Sequence, residues 1–319
     1  MRAVVCAYGE VGHACLGELL ALGTNVALVV THEDSPNEKI WFSSVRDLAV
    51  SSGVEVVMPD DVNAPETLAA IRDVAPEYLF SFYFRQMMGP ELLALPSRAA
   101  LNMHGSLLPK YRGRAPVNWV LVNGEAETGV TLHHMDEKPD HGGIVSQRRV
   151  AIGREDTAQS LTQKLAAQAS MILREVHPQL YKGTVPCVEQ NHSQSTYFGG
   201  RRPADGRIDW SRPAEEIRNL VRAVTDPWPG AFSHVQGRKL LVWAADTRPS
   251  WAGSQPGDVF VDREGSPLVA TGDGALELLH VTWDGESRRS GREWAQGAAM
   301  DAGARFDDEP QHDAAGGGI

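Results

Sequence analysis

Cysteine is scarce in this sequence: there are three, Cys6, Cys15 and Cys187, and no two form a Cys-x-x-Cys pair. An odd and widely spaced set predicts neither a disulfide framework nor a zinc site, and it suits a reducing compartment. Runs of about 18 uncharged apolar residues are also missing, which argues against a transmembrane helix. The short apolar stretch after Met1 is typical of a first β-strand rather than of a signal peptide. We therefore expect a cytoplasmic protein that holds no metal and does not span a membrane.

Positive charge is in deficit as well. The chain has 30 Lys and Arg against 41 Asp and Glu, and residues 201–319 alone have 14 against 19, a net of −5. Because such a balance repels polyanions, a nucleic acid is not the expected partner. One local exception stays open. Six arginines lie close together in sequence and could form either a phosphate or diphosphate site or an ordinary charged surface: Arg201, Arg202, Arg207, Arg212, Arg218 and Arg222.

The first half of the chain contains a regular alternation of short apolar runs with stretches of helical periodicity. Strands are predicted at 2–7, 25–32, 54–59, 77–83 and 101–104, and helices over 13–22, 43–53 and 64–76. This alternation predicts βαβ units, and continuous apolar strands are typical of a parallel sheet covered on both faces. Residues 8–12 are predicted to form a turn. Further strands are predicted at 128–135 and 143–152, then a long helix over 156–182 that Pro178 could end a turn early.

The second half has a different pattern. Residues 186–205 are polar and without periodicity, as in a linker, and a helix is predicted over 213–224. Short strands separated by Gly or Asp turns then predict a small barrel. We therefore predict an α/β chain in which a Rossmann-like, mostly parallel sheet with helices on both faces spans 1–185. A smaller, β-rich, OB-like barrel domain spans 206–301, and a flexible tail spans 302–319.

Three short segments carry side chains suited to catalysis. Asn102 and His104 are two apart on a strand, so they share one face near the carboxyl end, where open α/β sheets bind ligands. The loop SLLPKYRGRAP (106–116) has three basic residues and two prolines. In DHGGI (140–144), the glycines permit a tight backbone beside a carboxylate. Taken singly, these segments could equally be a structural histidine, a solvated basic turn and a hairpin turn.

Together, the three segments resemble the formyltetrahydrofolate-dependent formyltransferase family. The matching motifs are Asn102-Met103-His104, the loop 106–116, TGVTLH (128–133) and Asp140-x-Gly142-x-Ile144. Within that family, the likeness extends almost without gaps to about residue 280 in the formyltransferase domains of bifunctional polymyxin-resistance proteins of the ArnA type. It includes Thr31-His32-x-Asp34-x-Pro36-x-Glu38, Ser81-Phe82-Tyr83-x-Arg85, NWVLVNGE (118–125), Arg201-Arg202-Pro203-x-Asp205 and VRAVTDPWPGAFS (221–233).

The resemblance implies that Asn102, His104 and Asp140 form the catalytic set, and that 10-formyltetrahydrofolate is the co-substrate. It also implies a folate pocket made by Gln86, Met87, Met88, Arg114, Asp136, Glu137, Lys138, Pro139 and Asp140. The implied acceptor is the primary amine of a nucleotide-linked amino sugar, UDP-4-amino-4-deoxy-L-arabinose, in lipid A modification and polymyxin resistance. The side chains at 86–88 and 136–138 depart from those of the similar domains, which backbone contacts to folate would tolerate. The sequence leaves open whether the protein forms a homo-oligomer.

Formyl transfer to an amine passes through a tetrahedral intermediate that carries an oxyanion. Removing one hydrogen-bond donor to such an oxygen costs ~10²–10³-fold in other enzymes. The Asn102 amide can supply a donor. His104 can supply a second donor or protonate the departing folate nitrogen, and the resemblance makes Asp140 its partner. Either water or His104 could accept the proton of the attacking amine.

Other functions stay open at this point. Another amino sugar could be the acceptor, and so could methionyl-tRNA, although the acidic stretch 201–319 is poorly suited to phosphate contacts. A non-catalytic nucleotide-binding module is disfavoured because AYGEVG (7–12) has only Gly9 and Gly12 of the Gly-x-Gly-x-x-Gly fingerprint. Hydrolysis of the folate donor by the same side chains would release formate in the absence of any amine.

Overall fold

A computed structural model describes residues 1–36, 38–297 and 304–306. The chain divides into two compact units. Met1–Val120 and Glu125–Gly200 form the first, whereas Leu121–Gly124 and Arg201–Ile319 form the second. The tail predicted at 302–319 lies outside the described residues except for 304–306.

Strands and helices alternate along the first unit. The strands are β1 (Arg2–Ala7), β2 (Asn25–Val30), β3 (Glu55–Val57), β4 (Tyr78–Phe82), β5 (Ala99–His104), β6 (Arg112–Gly113), β7 (Glu127–His134), β8 (Ile144–Ala151) and β9 (Tyr197–Phe198). The helices that begin in this unit are α1 (Gly9–Ala21), α2 (Val45–Ser51), α3 (Pro65–Val74), α4 (Pro90–Leu93), α5 (Pro116–Val122) and α6 (Ala158–Lys182). A short 3₁₀ turn covers His192–Gln194.

The main sheet has the strand order β3-β2-β1-β4-β5-β7-β8. Strands β1 to β5 are mutually parallel, while β7 runs antiparallel to β5 and to β8. Strands β6 and β9 form a separate parallel pair. This arrangement confirms the predicted mostly parallel sheet. It also places β5 at the boundary between the parallel and antiparallel parts.

Helices cover both faces of this sheet. Helix α1 buries Val11, Cys15, Leu16 and Leu19, a stripe at helical spacing, and it packs against α6. On the other face, an apolar cluster joins Ala100 of β5 to residues of β1, β2, β4, α3 and α4. Asn102 follows Ala100 by two residues on the same strand. The Asn102 side chain therefore lies on the α3/α4 face of the sheet.

The long helix α6 has well-defined ends. Thr157 accepts a hydrogen bond from the Ser160 amide, and the Ser160 hydroxyl group accepts one from the Thr157 amide, so the two residues form a capping box. At the other end, Gly183 takes a φ of +72°, as the residue after a helix commonly does. The helix continues through Pro178 as far as Lys182 and does not end early. Leu180, which is fully buried beyond the proline, keeps the last turn packed against the unit.

The second unit is mainly antiparallel β-sheet. Its elements are α7 (Ala214–Val224), β10 (Ala231–Val235), β11 (Arg238–Arg248), β12 (Val259–Val261), β13 (Pro267–Ala270), β14 (Ala275–Trp283), β15 (Arg289–Ser290) and α8 (Gly291–Gly297). The strand order is β10-β11-β14-β13-β12, and β15 pairs with β14. Bridges from Phe306 to Val235 and from Arg305 to Asp258 link the two edges. The sheet therefore curls on itself, in agreement with the β-rich, barrel-like domain expected from sequence.

The start of α1 differs from the prediction. A turn was expected at 8–12, but the helix already begins at Gly9. The Tyr8 amide still bonds to the Phe82 carbonyl group, so the chain passes from strand to helix without an intervening loop. A Cβ at Gly12 would lie 3.0 Å from the Phe82 carbonyl oxygen, and glycine therefore permits this close approach. Among residues 1–36, 38–297 and 304–306, no helix is both long and apolar enough to cross a membrane.

Candidate active site

Asn102 lies directly opposite His133 in the antiparallel pairing of β5 with β7. Opposed residues of an antiparallel pair point to the same face, which brings their side chains together. The Asn102 Nδ2 atom is 3.1 Å from Nε2 of His133. His133 is 1 % exposed, whereas Asn102 is only partly buried. The Asn102 amide thus contacts a buried imidazole, while part of the Asn102 side chain stays accessible to solvent.

His104 faces a hydrogen-bond acceptor at each ring nitrogen. Its Nε2 atom is 2.7 Å from the Tyr111 carbonyl oxygen, and its Nδ1 atom is 3.3 Å from Oδ1 of Asp140. A neutral imidazole carries one N–H and can serve only one of these acceptors, whereas an imidazolium serves both. Both ring nitrogens of His104 therefore face acceptors, and the Nδ1 side is directed at the Asp140 carboxylate. The ring is buried, at 6 % exposed, which strengthens the pairing.

Asp140 is closely surrounded by polar groups. Oδ1 is 3.3 Å from His104 and 3.6 Å from Nε2 of His133, while Oδ2 accepts a hydrogen bond of 2.8 Å from the Gly113 amide. Burial alone raises the pKa of this carboxyl group. The positive charge of His104 and the hydrogen bond from the Gly113 amide outweigh burial and lower the pKa of Asp140 to about 2. Asp140 is consequently a carboxylate at neutral pH.

The loop that carries Asp140 is held by a buried glutamine. Gln190, which is 4 % exposed, donates from Nε2 to the carbonyl oxygens of Asp140 (2.9 Å) and Gly142 (2.7 Å). Its Oε1 atom accepts from Nη2 of Arg112 at 2.6 Å. The same Nη2 atom is 2.9 Å from Nδ1 of His192. This set of contacts ties the loop to the segment around residue 190 and to the loop that follows β5.

Backbone conformation brings these groups into place. Tyr111, Ala115 and Asp140 all have positive φ, a region that non-glycine residues rarely adopt and that surrounding contacts must enforce. Gly113 has a φ of +96°, and a Cβ there would lie 2.2 Å from the Phe198 carbonyl oxygen. Gly142 is equally confined, because its Cβ would lie 2.1 Å from the His134 carbonyl oxygen. Both glycines are therefore required by close backbone packing beside Asp140.

The structure brings Asn102, His104 and Asp140 together through His133 and the direct His104–Asp140 contact. Arg114 is exposed and lies one residue beyond Gly113, with its amide bonded to the Phe198 carbonyl oxygen. The expected folate residues Asp136, Glu137, Lys138 and Pro139 are exposed in the loop between β7 and β8, immediately before Asp140. Asp136 bonds to the Lys138 amide at 2.8 Å, which shapes this loop.

The three expected folate residues after β4 have different surroundings. The Gln86 side chain is occupied, since Oε1 accepts from the Val62 amide and Nε2 donates to the Pro59 and Asp60 carbonyl oxygens. Met87 is 59 % exposed. Met88 is buried in the apolar cluster on the α3/α4 face, where Met135 packs against the same cluster. This shared cluster brings segment 86–88 close to the start of segment 136–140.

Segments 31–38 and 81–85, which belong to the family likeness, meet at the carboxyl ends of β1, β2 and β4. The Tyr8 hydroxyl group donates to Asp34 at 2.8 Å, and Arg85 forms a two-point ion pair with Glu38 at 2.6 and 2.7 Å. The Arg85 guanidinium carbon lies 4.5 Å from the centre of the Tyr8 ring, and the Arg85 amide donates to Nε2 of His32. The segments 31–38 and 81–85 thus form one polar cluster.

Sequence reasoning assigned no role to His133, Gln190 or the Gly113 amide. His133 was visible as the last residue of TGVTLH, but its contact with Asn102 depends on strand register. Gln190 fell in a stretch interpreted as linker. A main-chain donor such as the Gly113 amide leaves no side-chain signal at all, although a glycine in a basic loop is a hint.

Several solved structures share this fold. A sugar 3N-formyl transferase, WlaRD, determined with dTDP and 5-N-formyl-THF, is 20% identical with a TM-score of 0.68 over 90% of this chain and 99% of its own. An N-formyltransferase from Helicobacter canadensis, in complex with folinic acid and dTDP-3-aminofucose, is 19% identical with a TM-score of 0.66 over 87% and 98%. HypX from Aquifex aeolicus, in complex with tetrahydrofolic acid, is 17% identical with a TM-score of 0.64 over 95% of this chain and 48% of its own. At these identities, the likeness establishes the fold.

Sequence profiles identify the family. The profile described as formyl transferase matches residues 3–177, and the profile described as formyl transferase, C-terminal domain, matches residues 201–299. The first match alone covers more than half of the chain and contains Asn102, His104 and Asp140. The chain therefore belongs to the formyl transferase family and is a formyltransferase.

Proposed function

We propose that this chain transfers a formyl group from 10-formyltetrahydrofolate to the primary amine of a nucleotide-linked amino sugar. The observation that carries the proposal is the meeting of an amide, an imidazole and a carboxylate on one face of β5 and β7. His104 lies 3.3 Å from Asp140, and His133 links Asn102 to the same carboxylate. Such a set suits attack on a carbonyl carbon in a site where charge develops on oxygen.

The folate donor is supported by the surroundings of the site and by similar proteins. Related structures hold 5-N-formyl-THF, folinic acid or tetrahydrofolic acid. In this chain, Met88 and Met135 share one apolar cluster, which brings segment 86–88 close to the start of segment 136–140. Because the Gln86 side chain is occupied by hydrogen bonds to segment 59–62, we expect main-chain groups of segment 86–88 to contact the pterin.

The proposed reaction begins when the amine nitrogen attacks the formyl carbon and the carbonyl electrons move to oxygen. An N–H of Asn102 donates to this oxyanion, and the His104 imidazolium, held by Asp140, adds positive charge beside it. The intermediate then collapses, breaking the bond from carbon to N10 of the folate. One proton leaves the amine and one reaches N10, carried by His104 or by water. The products are a formamide and tetrahydrofolate.

The choice of acceptor rests on three supports. Two of the related structures contain dTDP or dTDP-3-aminofucose. Residues 201–319 carry a net charge of −5, which disfavours a transfer RNA. The near-continuous likeness to formyltransferase domains of polymyxin-resistance proteins points to UDP-4-amino-4-deoxy-L-arabinose, and hence to lipid A modification. Other amino-sugar nucleotides and methionyl-tRNA are the alternatives.

A side-by-side assay tests the proposal. Purified protein is incubated with 10-formyltetrahydrofolate and, separately, with UDP-4-amino-4-deoxy-L-arabinose, dTDP-linked 3-amino and 4-amino sugars, and charged initiator transfer RNA. We expect the highest kcat/KM with the first acceptor, and a loss of ~10²-fold in kcat in Asn102→Ala. Preference for a dTDP sugar or for the transfer RNA would overturn the acceptor. Formate release at the same rate without any amine would overturn transfer itself.

A further inference from the structure

His133 takes no part in the reaction proposed above, yet it touches two of its residues. Nε2 of His133 is 3.1 Å from Nδ2 of Asn102 and 3.6 Å from Oδ1 of Asp140. The ring is 1 % exposed and lies on β7 opposite Asn102. A buried polar side chain between two reactive groups can be a structural filler, or it can set the orientation of one of those groups.

The other ring nitrogen decides between these two possibilities. Nδ1 of His133 is 2.7 Å from the His134 carbonyl oxygen. A carbonyl oxygen only accepts, so Nδ1 carries a proton, and in the neutral form of the ring Nε2 then presents a lone pair. The atom of Asn102 that can bind a lone pair is Nδ2. The opposite orientation of the amide would set Oδ1 against that lone pair, which is repulsive.

We propose that neutral His133 is a positioning residue that fixes which end of the Asn102 amide faces the formyl oxygen. The proposal rests on the role given to Asn102 in the proposed function. Nδ2 has two hydrogens: His133 takes one, and the other remains for the oxyanion. Without an acceptor at His133, the amide is free to turn its N–H groups towards the Asp140 carboxylate nearby. That rotation would withdraw the donor from the oxyanion and disturb the His104–Asp140 pair together.

Variants at His133 distinguish a role in orienting the Asn102 amide from a role in filling space. His133→Phe keeps a flat ring but removes both nitrogens, and we expect kcat to fall roughly 10-fold or more, because a buried donor loses its partner. KM for both substrates should change little. His133→Gln can still donate to the His134 carbonyl oxygen and accept from Asn102, so its kcat should stay within about 3-fold of wild type. His133→Leu repeats the test if the phenylalanine variant does not fold.

His134→Leu is the matched control. It removes the next imidazole along the same strand, whose Nε2 lies 2.9 Å from the Pro186 carbonyl oxygen. Successive residues of a strand point to opposite faces, so His134 points away from Asn102. This variant should keep the wild-type kcat. A filler role for His133 predicts the reverse pattern, in which phenylalanine is tolerated better than glutamine.

A double-mutant cycle with Asn102→Ala completes the test. If His133 acts through Asn102, adding His133→Phe to Asn102→Ala should change kcat by less than about 2-fold. An equal fall in both backgrounds would overturn the inference, and so would a wild-type kcat in His133→Phe alone. A wild-type kcat in Asn102→Ala would instead overturn the proposed role of Asn102. The two failures are therefore distinguishable.

Discussion

Two kinds of backbone hold the candidate site. Asn102, His104 and His133 lie on paired strands, where the ladder of β5 with β4 and β7 fixes their positions. Asp140 lies in the hairpin loop between β7 and β8, with a positive φ and with hydrogen bonds from Gln190 and from the Gly113 amide. The strand side is positioned by regular pairing, whereas the loop side depends on a few specific contacts. Changes on the loop side should therefore affect both loop order and chemistry.

The largest expected effect comes from replacing one charged partner on each side. His104→Ala on the strand and Asp140→Asn on the loop should each lower kcat by ~10²-fold or more, because each removes the contact between the His104 ring and the Asp140 carboxylate. Folate binding, measured by calorimetry with folinic acid, should change little in either variant. Combining the two should cost little beyond one alone, since they act as a unit. Wild-type rates in both variants would contradict their assigned roles.

Gln190→Leu tests the loop side without touching a reactive group. It removes the acceptor of Arg112 and both donors to the loop carbonyl groups of Asp140 and Gly142. We expect a loss of about 2 kcal/mol in the free energy of unfolding, measured by urea denaturation, because buried partners are left unpaired. In addition, kcat should fall roughly 10-fold by the same principle.

Gln194→Leu is the control for that variant, since Gln194 is exposed in the same segment. It should leave both quantities unchanged. If Gln190→Leu lowers stability but not kcat, Asp140 keeps its position without this glutamine. The proposed difference between the strand residues and the loop that carries Asp140 would then be smaller than we expect.

The smallest effect concerns acid stability. Because the folded pKa of Asp140 is lowered to about 2, its ionisation stabilises the fold above the unfolded value of 3.8, and that stabilisation is lost as pH falls through about 2. The contribution at pH 5 is about 2 kcal/mol and should shrink by about 1 kcal/mol at pH 3. Urea denaturation of wild type and Asp140→Asn at both pH values measures this change. A difference between the two proteins that grows on acidification would contradict the lowered pKa.

Much of the first unit could be predicted from sequence because its signals are local. Apolar runs marked β1, β2, β4 and β5 to within two residues at most ends, and helical spacing marked α3 and α6. Asn102 and His104 share a face because strands have a period of two, which needs no tertiary information. The parallel direction of these strands also follows from the alternation of strands with helices. These features depend on neighbours in sequence, and the sequence contains them directly.

The rest of the site depends on contacts between distant residues. The antiparallel direction of β7 sets Asn102 against His133, 31 positions away, and no local pattern predicts that register. Gln190 reaches Asp140 across 50 positions from a stretch without periodicity. The pairing of His104 with Asp140 was expected only from the family resemblance, and the structure places those atoms 3.3 Å apart. The sequence did not predict these contacts because they depend on strand register and on residues that are distant along the chain.

The amide donor at Gly113 has a consequence for how this enzyme tolerates change. Its N–H belongs to the main chain, so ordinary replacement of a side chain cannot delete it. Proline would remove the hydrogen, but its ring requires a φ near −65° and the position adopts +96°. Random mutagenesis should thus rarely erase the Asp140 contact alone. Directed evolution toward new acceptors can therefore vary the surrounding side chains while the hydrogen bond from the Gly113 amide to Asp140 is kept.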